Sequence, residues 1–122
     1  MSSRRRVLLV EDDRDTREMY SLYLSHSGLE VTEAHTGRVA LELVRNTAAP
    51  DVVVTDIAMP QMDGLELSRR LRAAPATRDV PIIAVSGQVT ERVRESRVNV
   101  VLEKPCEPDR LLDAIHQVLQ SE

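Results

Sequence analysis

The chain has 122 residues, a formal net charge of −4 and 42% hydrophobic residues, and its only aromatic side chains are Tyr20 and Tyr23. This length is enough for one hydrophobic core, so we expect a single domain over residues 1–122. The acidic balance argues against a nucleic-acid partner, and no apolar run is long enough to cross a membrane. A lone cysteine, Cys106, excludes an internal disulfide and fits a cytoplasmic location.

The first half of the chain alternates apolar runs with segments of helical period. Val7–Val10 is a continuous apolar run, which is typical of a parallel strand covered on both faces. Arg14–Ser27 has the apolar spacing of a helix and is followed by Gly28, a residue type that commonly ends helices. Glu30–Ala34 alternates apolar and polar residues, as a strand nearer the edge of a sheet does. Arg38–Asn46 predicts a second helix.

The second half repeats this alternation. Its predicted elements are the strand Val52–Thr55, the helix Gly64–Arg72, the strand Ile82–Ser86, a short helix within Gln88–Arg97, the strand Val98–Leu102 and the helix Pro108–Leu119. Asp63 and Glu66 stand three residues apart at the start of the third helix, a capping-box pattern with an aspartate as the cap. The whole order predicts an α/β fold, a doubly wound parallel sheet with helices on both faces.

Polar side chains follow four of the five predicted strands. Sheets of this kind bind ligands at the carboxyl ends of their strands, so these side chains should converge at one edge. They are Glu11, Asp12 and Asp13 after the first strand, Asp56 after the third, Ser86 at the end of the fourth and Lys104 after the fifth. The sequence therefore predicts a site that contains carboxylates, a hydroxyl group and an ammonium group.

This combination of groups favours phosphoryl-transfer chemistry. Clustered carboxylates repel one another unless a cation lies between them, and Mg²⁺ accepts carboxylate oxygens while keeping positions for water and phosphate. Lys104 adds a positive charge that is useful if an anion binds as well. The alternative is that the acids only cap the helices that follow them, which is the simpler interpretation for Asp13.

Four motifs occur in a fixed order along the chain. They are Val7–Asp13, an apolar strand that ends in acids; Asp56–Glu66, with the pattern D-x-x-M-P-x-M-D-G-x-E; Pro81–Ser86; and Lys104-Pro105. Together they resemble the receiver domain of two-component response regulators over essentially the whole chain. The resemblance implies five parallel strands in the order 2-1-3-4-5 and a phosphorylation-dependent signalling switch.

The resemblance also implies a role for each residue of the phosphate site. Asp56 would accept a phosphoryl group from a sensor histidine kinase or a phosphotransfer protein, while Ser86 and Lys104 would contact phosphate oxygens. The phosphorylated domain would change conformation and control a downstream protein. Any enzymatic activity would be limited to phosphorylation and dephosphorylation of Asp56 itself.

A Mg²⁺ site is implied beside the phosphate site. Asp12 and Asp56 would bind the ion directly, Glu11 would act through water, and Ala58 would contribute its backbone carbonyl. An aspartyl-phosphatase alternative is disfavoured, since Ala58 stands where such enzymes need a second acid. In this family the bond before Pro105 is a cis peptide, which we expect here too.

The chain departs from the family pattern in the region that usually carries the output signal. Val101 stands three residues before Lys104, where an aromatic residue is usual, so we expect no aromatic switch. The segment from Ser86 to Lys104 is also short, which predicts a short or irregular fourth helix. These departures keep open an alternative function, a receiver fold that serves as a protein-interaction module and never cycles phosphate.

Overall fold

The computed structural model describes residues 4–120, which alternate strands and helices. The strands are β1 (Arg6–Val10), β2 (Glu30–Ala34), β3 (Val52–Asp56), β4 (Ile82–Ser86) and β5 (Val100–Glu103). The helices are α1 (Arg14–His26), α2 (Gly37–Asn46), α3 (Gly64–Ala73), α4 (Glu91–Arg94) and α5 (Pro108–Gln120). The strands form one parallel sheet in the order β2-β1-β3-β4-β5, which confirms the predicted fold class and strand order.

Different helices cover the two faces of the sheet because side chains alternate along each strand. Along β1, Val7 and Leu9 pack in a core cluster with residues of α1 and α5, whereas Leu8 and Val10 pack with residues of α2 and α3. All residues of β3 and β4 are buried, while β2 lies at the edge and is mostly exposed. The continuous and alternating sequence patterns are explained by these positions.

Local sequence signals fix two helix ends. At the end of α1, Gly28 has a φ of 96°, and the N–H of Leu29 donates to the carbonyl of Leu24 over 3.2 Å. This arrangement needs a residue with a left-handed backbone conformation, which glycine adopts without steric cost. At the start of α3, the Asp63 carboxylate accepts from the N–H of Glu66 over 2.8 Å. The Glu66 carboxylate contacts two arginines of α3 instead of the cap, so only half of the predicted capping box forms.

The predicted start of the last strand is wrong by two residues. Val98–Leu102 was expected from its apolar residues, but β5 is Val100–Glu103. The side-chain Oδ1 of Asn99 accepts from the N–H of Ile82 over 2.8 Å, in the place where a strand residue would offer its carbonyl. The regular ladder with β4 therefore begins only after Asn99. The other predicted bounds agree with the structure to within one residue.

The fourth helix is a single turn of four residues, which confirms that it is short. Thr90 caps it, with its Oγ1 accepting from the N–H of Val93 over 3.3 Å. Val93 is buried in a small cluster with Ile57, Leu65 and the partly buried Val101, and this contact holds the turn to the sheet. None of the helices in the described part of the chain is long and apolar enough to span a membrane.

Candidate functional site

Three carboxylates meet at the carboxyl edge of the sheet. Glu11 and Asp12 follow β1, and Asp56 ends β3, its neighbour in the sheet. One carboxylate oxygen of each lies within 4.8 Å of the others. Glu11 and Asp56 are buried, whereas Asp12 is exposed. The parallel pairing of β1 with β3 brings together residues that are more than forty positions apart in sequence.

Lys104 closes the site from the side of β5. Its Nζ donates to Oδ2 of Asp56 over 3.1 Å, and its backbone N–H donates to the carbonyl of Ser86 over 2.7 Å. The second bond ties the segment after β5 to the end of β4, and this fixes where the ammonium group lies. The Lys104–Pro105 peptide bond is cis, as expected.

The charges of the site shift the acid–base behaviour of its groups. Burial, aided by repulsion from Asp56, raises the pKa of Glu11 to about 7, against the opposing effect of the Asp13 N–H that donates to its carboxylate. Burial lowers the pKa of Lys104, but its hydrogen bond to Asp56 and the attraction of the acids outweigh that effect and leave this pKa above its ordinary value. The site therefore concentrates negative charge beside one ammonium group.

The donor set fits a hard divalent cation. Oδ1 of Asp56 is buried and has no hydrogen-bond partner in the part of the chain that is described, which is costly for a carboxylate oxygen. Carboxylate oxygens are the ligands that Mg²⁺ prefers, and Glu11 and Asp12 supply more of them nearby. Ala58, two residues after Asp56, is exposed, and its expected contact with the ion through its carbonyl stays a prediction.

Ser86 lies at the end of β4, and its hydroxyl bonds within its own loop. Its Oγ donates to the carbonyl of Gln88 over 2.5 Å and accepts from the N–H of Gln88 over 3.2 Å. The expected contact of Ser86 with a phosphate oxygen stays a prediction. Asp13 caps α1, since its carboxylate accepts from the N–H of Thr16 over 3.0 Å. The structure thus agrees with the interpretation of this acid as a helix cap.

Two residues that support the site were not singled out by the sequence. A Cβ on Gly64 would lie 2.9 Å from Cα of Ile57 and closer still to the carbonyl oxygen of Asp56, so only glycine lets α3 start this near to the backbone of Asp56. The hydroxyl of Tyr20 donates to the carbonyl of Cys106 over 2.6 Å and holds the segment after Lys104 against α1. The glycine belongs to the D-G pair of the second motif, whereas no local signal marks the tyrosine.

A parallel sheet of this order, with acids and a lysine at its carboxyl edge, defines a receiver fold like that of CheY. The chain belongs to the response regulator receiver domain family, whose model matches residues 7–116. Receiver domains of two-component systems act in phosphorylation-dependent signalling, and they typically bind Mg²⁺ at the acidic pocket.

Individual relatives cover nearly the whole chain. It is 36% identical over 115 residues to an uncharacterized 14.6 kDa protein of Leptolyngbya boryana, a match of 91% of this chain and 87% of that protein. It is 36% identical to the response regulator MprA of Mycolicibacterium vanbaalenii over 94% of this chain, which spans 50% of MprA.

Solved structures give the same result. The chemotaxis protein CheY4 of Vibrio cholerae superposes with a TM-score of 0.88 at 28% identity, over 95% of this chain and 99% of that one. A putative response regulator from Chloroflexus aurantiacus gives a TM-score of 0.89 at 31% identity, over 97% and 99% of the two chains.

Proposed function

We propose that this domain is a switch that a histidine kinase or a phosphotransfer protein phosphorylates on Asp56 in a Mg²⁺-dependent reaction. The observation that carries the proposal is the state of the Asp56 carboxylate. It is buried, its Oδ2 bonds to Lys104, and its Oδ1 has no hydrogen-bond partner among the described residues. A buried carboxylate with one uncommitted oxygen beside a lysine is suited to accept a phosphoryl group.

Each site residue has a distinct part in the proposed transfer. The Asp56 carboxylate attacks phosphorus and a P–O bond forms while the P–N bond to the donor histidine breaks. The donor imidazole, protonated on its other ring nitrogen, takes the electron pair of the P–N bond and leaves as the neutral base. Lys104 balances the charge that builds on the phosphoryl oxygens. Asp12 and Asp56, with Glu11 acting through water and Ala58 through its carbonyl, would hold Mg²⁺, which would supply neutralisation of the remaining charge.

The signal leaves the site through the loop between β4 and α4. A phosphoryl oxygen is a stronger acceptor than the Gln88 carbonyl, so the Ser86 hydroxyl exchanges one for the other. The loop between Ser86 and Thr90 then moves toward Asp56 together with the Ser86 hydroxyl. Aliphatic contacts of Val93 and Val101 transmit this shift to α4 in place of an aromatic side chain.

The phosphodonor protein docks on α1. Met19, Leu22 and Tyr23 are the large hydrophobic residues that the described part of the chain exposes, with 44%, 62% and 37% of their surface accessible. They share one side of a helix that begins directly after the acidic edge. The variant Leu22→Glu should therefore lose transfer from a histidine kinase while it still accepts phosphate from acetyl phosphate. Equal loss with both donors would contradict this docking surface.

Intact-mass measurement tests the function itself. The protein is incubated with acetyl phosphate with and without Mg²⁺, beside the variants Asp56→Asn and Asp13→Asn. We expect a Mg²⁺-dependent gain of one phosphoryl group in the wild type and in Asp13→Asn, because Asp13 only caps α1. Asp56→Asn should gain none. A wild type that gains none from acetyl phosphate or from any kinase supplied would leave the non-cycling interaction module as the better account.

The thiol of Cys106 is buried and forms no disulfide bond, which agrees with a reducing compartment. We therefore place the phosphoryl transfer in the cytoplasm.

A further inference from the structure

A groove lies between α3 and α4, on the face of the sheet opposite α1 and α5. Its cavity volume is about 520 Å³. Four arginines and one acid line it: Arg69 and Arg72 of α3, Arg92 of α4, Arg97, and Glu95. The groove is open because α4 is one turn long and the chain then runs irregularly to β5.

Among residues 4–120, no carboxylate contacts the guanidinium of Arg72 to neutralise its positive charge. Its guanidinium donates to the carbonyl of Val80 over 2.6 Å, to that of Arg78 over 3.0 Å and to Oδ1 of Asn99 over 2.8 Å. These acceptors are neutral dipoles. Burial lowers the pKa of Arg72 and outweighs the attraction of Asp79, as expected for a partly buried cation without a carboxylate in contact. An incoming anion would relieve this cost.

The other arginines are accessible to a ligand. The guanidinium of Arg97 is exposed and contacts no carboxylate in the part of the chain that the structure describes. Arg69 and Arg92 pair with Glu66 and Asp63, but their side chains are 70% and 61% exposed. Exposed ion pairs of this kind contribute little to stability, so a ligand carboxylate can take the place of either acid.

The lining also selects among anions. Leu65 and Ala73 add an apolar part to the groove, which favours a ligand that carries apolar side chains as well as negative charge. Single-stranded nucleic acids are usually held in part by aromatic side chains that stack on the bases. The only aromatic residues of this chain, Tyr20 and Tyr23, are on α1, on the opposite face of the sheet.

We propose that the groove between α3 and α4 binds an acidic segment of a partner protein, with glutamate or aspartate side chains on its arginines and an apolar side chain against Leu65. The protein as a whole has a net charge of −4, which repels an acidic peptide. The attraction of such a peptide therefore comes from the arginines of this surface and not from the overall charge. The binding does not require phosphate on Asp56, and the proposal goes beyond the switch function.

Fluorescence anisotropy of the unphosphorylated protein tests the groove. The probe is a fluorescein-labelled peptide of glutamate and leucine, and a peptide with glutamine in place of glutamate serves as its control. We expect the double variant Arg69→Gln/Arg97→Gln to weaken binding of the acidic peptide by about tenfold or more, because it removes charged hydrogen bonds between the groove and the peptide. Glu95→Gln should strengthen it, because it removes the acid from the groove.

The matched control is Arg45→Gln/Arg110→Gln, which removes two exposed arginines from α2 and α5 and changes the net charge equally. It should bind the acidic peptide as the wild type does. Circular dichroism and phosphorylation by acetyl phosphate verify that both double variants are folded. The proposal is overturned if the wild type does not bind the acidic peptide, or if both double variants lose affinity equally. It is also overturned if a short single-stranded RNA binds the groove more tightly than the peptide.

Discussion

Asp56 is the residue around which the other charged groups of the site lie: Lys104 donates to its carboxylate, and Glu11 and Asp12 are beside it. Its position was predictable, because an acid directly after a buried strand must lie at the carboxyl edge of a parallel sheet. Lys104 and the acidic pair were found in the same way. The hydrogen bond from Tyr20 to Cys106 was not, since it joins residues 86 positions apart and a tyrosine at a helical spacing looks like any core residue.

Removal of the Tyr20 hydroxyl should destabilise the domain. Tyr20→Phe leaves the carbonyl of Cys106 without its partner in a buried place, and we expect a loss of about 1–3 kcal/mol in the free energy of unfolding. Urea denaturation measures the change. Tyr23→Phe is the matched control, because Tyr23 is partly exposed and should change the free energy by less than about 0.5 kcal/mol. Equal effects of the two substitutions would contradict the role given to Tyr20.

Gly64 sets the distance between α3 and the backbone of Asp56. An added Cβ would overlap the carbonyl of Asp56, so Gly64→Ala should cost about 1–3 kcal/mol in the free energy of unfolding and slow phosphorylation by acetyl phosphate. Gly87→Ala is the control, since a Cβ there meets nothing within 4 Å. A Gly64→Ala variant with wild-type stability and phosphorylation rate would show that the backbone shifts freely at this point.

Among the helices and strands, the caps and the buried strands were predictable from local sequence. The residue at which a strand begins can depend on a long-range side-chain contact, which local sequence does not reveal. Asp63 was predicted as the α3 cap and is one. The start of β5 was missed because Asn99 reaches back to Ile82, and nothing in the run Val98–Leu102 reveals that contact. A short or irregular α4 was predicted from the shortness of the segment between Ser86 and Lys104, and the groove beside this helix is a consequence that only the structure displays.

The Asp63 cap should stabilise the protein in a pH-dependent way. Burial would raise the pKa of Asp63, but hydrogen bonds from the Glu66 N–H and from Arg92 outweigh it and keep this pKa below its ordinary value. The ionised carboxylate therefore stabilises the fold at neutral pH, and this contribution is lost as the pH falls through the lowered pKa. Asp63→Ala should cost about 1 kcal/mol in the free energy of unfolding at neutral pH.

Denaturation of both proteins over a series of pH values checks this. The difference between wild type and Asp63→Ala should shrink in acid, whereas Asp113→Ala, in the exposed middle of α5, should have little effect at any pH. A difference that stays constant from neutral to acidic pH would mean that the charge of Asp63 does not stabilise the helix.

At the scale of the whole molecule, sheet order decides which distant residues become neighbours. The alternation of strands and helices predicted a doubly wound sheet, but the order 2-1-3-4-5 came from the family resemblance, because the crossover rules alone admit several orders. That order places β1 beside β3 and β4 beside β5, which brings Glu11 and Asp12 to Asp56 and ties Lys104 to Ser86.

Mg²⁺ should stabilise the folded chain as a whole. A ligand that binds only the folded state adds about 2.7 kcal/mol to the free energy of unfolding when its concentration is about a hundred times its dissociation constant. We expect a Mg²⁺ titration to raise the denaturation midpoint of the wild type and of Asp13→Asn, and to leave Asp12→Asn nearly unchanged. If Asp12→Asn gained as much as the wild type, the ion would be bound elsewhere.

Chemical mapping of the phosphoryl group tests whether Asp56 is the phosphoacceptor. The protein is phosphorylated with acetyl phosphate and Mg²⁺, reduced with borohydride, which converts an aspartyl phosphate to homoserine, and digested for peptide mass spectrometry. We expect homoserine at position 56 and at no other carboxylate. Modification of Asp12 or Asp13 with Asp56 intact, or of no residue in a protein that has gained phosphate, would contradict it.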